Sequence, residues 1–430
     1  MRLIDRIKDK LKDENLKRLA ENYFSLAFLQ GLNYLLPLIT LPFLVRVLEV
    51  ETYGLVMFAN SLVLYFVILV DFGFNLFAPR EIAVHREDLT KVSEIFWSVT
   101  LIRGLLVLIS FGLLAAIVFY FDRFSRDWPL YLISYGIVIG QAFFPIWFFQ
   151  GMEKMKFIAL LNIASRLVFA VVIFSFIRGP EDLYMVPVGN TAGYLVAGIL
   201  SLWIVRKRFN LVMVMPSKAV VLGYVKRSFQ FFLSRASVSM YTVSNTFVVG
   251  LFLGNAAAGY YAAAEKLYNV MISLYTPLNT ALYPFMSNMK DLKLFRKIFT
   301  ITTVLNLLAC AVVFIFSGLI IRLIFGEGFE MSAHLLSLFA ILCALNVPST
   351  LLGYPLLAAM GYPKYANFSV VVASLVHLGM LAAVMPFISH LNVYVIPVLL
   401  LITQIVVFSI RIYGVRKNLT GLPGEPACAA

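Results

Sequence analysis

Apolar residues run through this chain in long blocks, broken by short polar or charged turns. A helix needs about 17–25 largely apolar residues to cross a bilayer. Twelve runs meet that length: Tyr23–Val45, Tyr53–Phe77, Ile95–Phe121, Pro129–Gln150, Phe157–Arg178, Tyr184–Val205, Ser228–Gly254, Tyr260–Met286, Ile298–Phe325, Met331–Ala359, Tyr365–Ser389 and Val393–Tyr413. The pattern predicts an all-α polytopic membrane protein with about twelve transmembrane helices. The longest polar loop, Arg206–Arg227, falls after the sixth run and divides them six and six. The predicted layout is an N-terminal segment 1–21, an N-lobe 22–205, a cytoplasmic linker 206–227, a C-lobe 228–415 and a tail 416–430. The two lobes are expected to be pseudo-symmetric around a central cavity.

Composition agrees. The chain of 430 residues is 61% hydrophobic and only 13% charged, with mean hydropathy +0.90. A soluble domain of that balance would expose far more apolar surface than water tolerates. The net charge of +13 comes from 35 Lys and Arg against 22 Asp and Glu. Most of the cations sit in alternate short loops, whereas Arg46, Arg123, Arg126, Arg178 and Arg322 fall on the opposite side. The cytoplasmic face of a membrane protein carries the excess of Lys and Arg. Both termini are therefore predicted to be cytoplasmic, with Arg411, Arg416 and Lys417 in the last cytoplasmic segment. The expected partner of these loops is anionic lipid, and no nucleic acid. Leu3, Ile4, Ile7 and Leu11 lie near helical spacing among charges. The N-terminal segment reads as an amphipathic helix on the membrane face rather than a cleaved signal.

Two echoes suggest a parallel duplication, a common build of alternating-access transporters. Leu48, Gly54 and Ala59 recur at the same spacing as Leu253, Gly259 and Ala264. Gly151-Met152-Glu153-Lys154 recurs as Gly361-Tyr362-Pro363-Lys364. Gly151 and Gly361 read as turn or hinge residues, as do the helix-bending Pro37, Pro42 and Pro277, with Pro284 close by.

An ionisable group inside a bilayer costs about 2.5–3.5 kcal/mol, so it normally faces a cavity or a partner. Asp71, Arg103, Arg166, Arg235, Glu265 and Lys266 lie deep in the predicted spans, with Arg46, Arg80 and Glu81 nearer the ends. The four deep cations outnumber the two acids, and an anionic cargo would account for the excess. Arg46, Arg80, Arg103, Arg166, Arg235 and Lys266 are therefore candidate cargo ligands. Asp71, Glu81 and Glu265 are candidate ion-coupling groups or counter-ions, and Asp71 could serve Arg80 or Arg103. Cys310, Cys343 and Cys428, and the four histidines, have no metal-ligand spacing, and no phosphate-binding glycine loop of an ATPase is present. Neither a metal nor a cofactor is expected.

Several stretches together resemble the polysaccharide-synthesis flippases of the Wzx type, the O-antigen transporters. They are Gln30-Gly31-Leu32-Asn33-Tyr34-Leu35-Leu36-Pro37, Tyr53-Gly54-Leu55, Asp71-Phe72-Gly73-Phe74-Asn75 with Arg80-Glu81-Ile82-Ala83, and Trp147-Phe148-Phe149-Gln150-Gly151-Met152-Glu153-Lys154-Met155-Lys156. These transporters form part of the multidrug/oligosaccharidyl-lipid/polysaccharide exporter superfamily. The resemblance implies a bacterial inner-membrane protein that is not an enzyme. It implies movement of an undecaprenyl-diphosphate-linked oligosaccharide to the periplasmic leaflet through a cationic cavity. Other polysaccharide-assembly membrane proteins are the expected partners. Coupling to a proton, to sodium or to the membrane potential is open. The alternatives are a cation-coupled multidrug exporter of the same superfamily and a membrane glycosyltransferase or polymerase.

Overall fold

The structure is a computed structural model that describes residues 14–390 and 392–419, and side chains from residue 36 onward except at a few positions. The N-terminal segment before Glu14, most side chains of the first predicted span (Asn22, Gln30, Asn33 and Pro37 among them), His390 and Cys428 lie outside this description. Among the described residues every regular element is helical.

The helices are α1 Glu14–Asp71, α2 Phe74–Val84, α3 Leu89–Tyr120, α4 Asp122–Ser125, α5 Trp128–Ala142, α6 Ile146–Gly151, α7 Met155–Phe176, α8 Met185–Phe209, α9 Lys218–Thr242, α10 Ser244–Leu253, α11 Asn255–Ser273, α12 Thr276–Met289, α13 Leu292–Ile315, α14 Ser317–Phe325, α15 Glu330–Leu351, α16 Pro363–Val384 and α17 Val395–Leu419. A π-helical stretch, Leu352–Ala358, follows α15. Nine segments among the described residues are long and apolar enough to cross a membrane. They coincide with the second to sixth and the ninth to twelfth predicted spans. This is an all-helical, multi-pass membrane protein.

The seventh and eighth predicted spans are each broken. Val243 separates α9 from α10, and Leu274 and Tyr275 separate α11 from α12, just before Pro277. Lys218, Lys226, Arg227 and Arg235 make α9 too polar to register as a span. Pro277 stands at the start of α12, where a missing N–H costs little.

The chain forms two compact units. The N-unit is Leu35–Ala262, and the C-unit joins Met1–Tyr34 to Ala263–Ala430. Within the N-unit, the first sequence echo becomes a helix crossing. Glu49 (φ 61°, ψ 171°) and Gly254 (φ 91°, ψ 175°) adopt nearly the same unusual backbone conformation. Each lies five residues before a glycine, and the two glycines meet. A Cβ on Gly54 would overlap the Asn255 carbonyl oxygen and stand 2.7 Å from the Gly259 nitrogen. A Cβ on Gly259 would overlap the Val50 carbonyl oxygen. Only two glycines let backbones approach this closely. Arg123 fastens the turn, donating to the Gly250 carbonyl at 3.1 Å and to Asn255 Oδ1 at 2.6 Å.

The second echo keeps its geometry but shifts its register. Lys154 N–H donates to the Phe149 carbonyl at 2.8 Å, and Tyr362 N–H to the Leu357 carbonyl at 2.8 Å. These are the six-to-one bonds that close a helix C-terminus on a left-handed residue. The left-handed residues are Glu153 (φ 55°) and Gly361 (φ 91°), and the next helix starts two residues later in both cases. Glu153, not Gly151, is therefore the counterpart of Gly361. Gly151 ends α6 and is buried, because a Cβ there would lie 2.6 Å from Ile82 Cβ. Around it, Phe96, Trp147, Phe148, Phe149 and Phe209 build an aromatic core that holds α2 against α6.

Candidate functional site

The N-unit contains a cavity of about 90 Å³ in which three of the predicted charged residues converge: Asp71, Arg103 and Arg235, joined by Asn75 and Gln141. Local backbone geometry sets this up. α1 stops at Asp71, Phe72 (φ 46°) and Gly73 (φ 75°) turn left-handed, and α2 begins at Phe74. Glycine adopts such a φ without steric penalty. Gly73 meets a second demand, since a Cβ would lie 2.5 Å from the Phe232 backbone nitrogen. α9 is thus seated directly on the break. Ser228 Oγ donates to the Phe72 carbonyl at 2.7 Å, and the Phe72 and Phe232 rings stack at 5.0 Å. Arg235 follows Phe232 by three residues and so lands beside Asp71 on the same helix face.

α3 contributes Arg103, only 4% exposed, whose Nη2 donates to Asp71 Oδ1 at 3.2 Å. Asp71 also interacts with the backbone and side-chain amides of Asn75. The Nε and Nη1 of Arg103 have no hydrogen-bond partner among the described residues. Of the two candidate partners for Asp71, the geometry selects Arg103.

The other predicted residues are dispersed. Glu81 on α2 pairs with Arg227 of α9 at 3.0 Å, while its neighbour Arg80 is exposed. The Arg227 guanidinium also lies 4.8 Å over the Tyr224 ring. Arg46 and Pro42 lie on α1, with Arg46 exposed, and Pro37 lies within the same helix. Arg166 sits half-buried in the middle of α7, within electrostatic range of Tyr194 on α8. In the C-unit, Glu265 is half-buried and Lys266 exposed on α11.

At the membrane boundary Arg86 and Glu153 form an ion pair at 2.8 Å, and Arg86 Nε donates to the Gly151 carbonyl at 3.2 Å. The Arg86 guanidinium holds the Glu153 carboxyl below its ordinary range. Lys154 and Lys156 next to it are exposed.

Arg411 departs from the sequence reading. Counted there with the cytoplasmic loop cations, it is instead 7% exposed inside α17. Its Nε donates to Ser369 Oγ at 3.1 Å, and its Nη1 to the Ser349 carbonyl at 2.8 Å. Its position only two residues from the end of the twelfth predicted run placed it with the loop, whereas α17 continues to Leu419. The linker is held in place by side-chain bonds. Val212 N–H donates to Ser93 Oγ at 3.0 Å, and Trp97 Nε1 donates to the Val212 carbonyl at 3.0 Å, which straps the linker to the start of α3.

Residues 19–290 match the sequence model of the family described as "Polysaccharide biosynthesis protein". The "Putative O-antigen transporter" of Escherichia coli (strain K12) is 27% identical over 406 residues, covering 93% of this chain and 97% of the relative. That of Shigella dysenteriae is 27% identical over 364 residues, covering 84% and 91%. Among solved structures, "Lipid II flippase MurJ, inward closed conformation" superposes with a TM-score of 0.74 at 14% identity, covering 91% of this chain and 87% of that one. An inward-facing multidrug resistance MATE family transporter of the MOP superfamily gives 0.71 at 14% identity, covering 93% and 98%. At that identity the structural likeness establishes the fold, while the sequence likeness establishes the family.

Proposed function

Because the chain belongs to the polysaccharide biosynthesis protein family, we propose that it is a flippase for a lipid-linked oligosaccharide, the repeat unit of an O-antigen or a related surface polysaccharide. The observation that carries this reading is the match to two proteins named as O-antigen transporters over nearly the whole of both chains. The fold shared with a lipid II flippase supports it. Transport, not catalysis, is the activity. The cargo is an undecaprenyl-diphosphate-linked oligosaccharide, carried from the cytoplasmic to the periplasmic leaflet of a bacterial inner membrane by alternating access. Both termini face the cytoplasm.

The cationic side chains of the spans attract the cargo's diphosphate. Arg235 and Lys266 are exposed within their own units and Arg166 is half-buried, so each is placed to meet a large ligand. Arg103 is tied to Asp71 and acts on cargo only through the local field. Moving about two negative charges out of a negative cytoplasm is downhill by ~2.3 kcal/mol per charge per 100 mV. The membrane potential therefore contributes about 4–5 kcal/mol to export. A proton or sodium ion coupled through Asp71 or Glu265 would add to this.

A cation-coupled multidrug exporter of the same fold would need an acidic pocket for cationic drugs. The cavity at Asp71 has two guanidiniums against one carboxylate, which disfavours that reading. Deletion of the gene is expected to strand lipid-linked oligosaccharide in the inner leaflet. Replacing Arg166, Arg235 and Lys266 together with neutral residues is expected to abolish export while the protein still reaches the membrane. Unimpaired export by the triple variant would remove these residues from the cargo path. Drug resistance without any change in surface glycan would replace the proposal.

A further inference from the structure

The cavity inside the N-unit holds more positive charge than its lining offsets. A guanidinium carries five N–H donors and no acceptor. Arg103 spends one on Asp71, and its Nε and Nη1 remain buried without a partner. An unpaired buried donor has lost its water without a replacement, which is costly. Arg235 lines the same cavity and adds a second guanidinium, whereas Asp71 is the carboxylate in the lining. The lining thus carries one positive charge more than Asp71 offsets, with Arg103 buried and Arg235 exposed. Gln141 and Asn75 add amide groups to the wall, each able to donate.

Water alone would satisfy the N–H groups but would not cancel the charge. A diphosphate bearing sugars does not fit a space of about 90 Å³, and a small ion with some of its hydration does. We infer that this cavity binds one small inorganic monovalent anion of chloride size, held between the Nε and Nη1 of Arg103 and the guanidinium of Arg235. The ion completes the charge balance that Asp71 begins and fastens α9 to α3 across the break at Phe72 and Gly73. This site lies wholly within the N-unit; it shares Arg235 with the proposed cargo path, so its test is made without cargo.

The test uses the full-length purified protein in detergent without cargo. Its thermal midpoint is followed as sodium chloride replaces sodium gluconate at constant ionic strength, gluconate being too large for the cavity. The expected result is a saturable rise in midpoint with chloride. Arg235→Gln, at an exposed side chain outside any ion pair among the described residues, should still fold and lose the rise. Asp71→Asn removes the neighbouring negative charge and should lower the chloride concentration at half-effect by about tenfold or more, since like charges sharing one small cavity repel. Bromide in place of chloride should give an anomalous scattering peak beside Arg103. Identical curves in chloride and gluconate, a chloride effect that survives Arg235→Gln, or an Asp71→Asn half-effect that does not fall would overturn the site and leave it to water alone.

Discussion

Arg103 in the N-unit and Arg411 in the C-unit are both buried in spans, and they are held in opposite ways. Arg411 is gripped by two serines: Ser349 of α15 and Ser369 of α16 each receive an N–H from it, so three helices share one guanidinium. Arg103 has a carboxylate at 3.2 Å and two N–H groups left over beside a cavity. The contrast separates a fastener from a site. Donors matched one by one to fixed acceptors stiffen a bundle and leave no room for a guest. A partly matched charge cluster next to open space is where small ions or protons come and go.

The largest expected effect comes from removing the carboxylate. Asp71→Ala leaves Arg103 buried without its counter-charge and should cost about 3–5 kcal/mol of stability, read by unfolding in detergent. Adding Arg103→Met should recover most of that loss. A double variant as unstable as the single one would mean that the pair is not what holds α3 to the end of α1. Next comes Gly73→Ala. Backbone strain at positive φ alone costs about 1–3 kcal/mol, and the Cβ would press on the Phe232 nitrogen, a backbone atom that cannot swing aside. The matching change beside Arg411, Gly353→Ala, should be milder, because Gly353 has a negative φ (−69°) and the nearest atoms, at 3.0 Å, belong to a side chain rather than to backbone. A Gly353→Ala variant less stable than Gly73→Ala would reverse the assignment of fastener and site.

Ser369→Ala removes one acceptor from Arg411 and should cost about 1–2 kcal/mol, with export intact, as befits a fastener. The smallest effect is electrostatic and lies at the boundary. Glu153 has a carboxyl pKa depressed by Arg86, so the pair's contribution is fully present above the unfolded carboxylate value of about 4.3 and fades as pH falls through the lower folded value. Stability measured across that acid range should fall less steeply in Glu153→Gln than in the parent. Parallel acid limbs would show that the ion pair contributes nothing measurable.

Hydropathy alone made most of the fold legible, because a bilayer imposes a minimum apolar length that few other structures need. It failed where the helix is not continuous. α9 and α10 pass through one predicted span, and the polar face of α9 is occupied by Arg227 and Arg235, which the fold uses for contacts with Glu81 and the cavity. For the site, the rarity of charge in apolar runs was enough to pick out Asp71, Arg103 and Arg235. Their meeting was not readable, since it depends on the left-handed pair Phe72 and Gly73 and on Ser228, 156 residues along the chain from Phe72. Arg411 was misplaced for the converse reason: a cation near the end of an apolar run looks like a loop residue until serines on two other helices are seen to receive it.

The crossing of Gly54 and Gly259 has a consequence for how the chain changes over generations. Each glycine is required by the backbone of the other's helix, and each follows by five residues a position with the same rare dihedrals. A larger residue at one of them cannot be absorbed by a repacked neighbour, because carbonyl oxygens and not side chains stand in the way. The two helices are therefore tethered in inheritance as well as in space. They are free to diverge in the residues that face lipid or cargo, while the point where they touch must be copied unchanged in both.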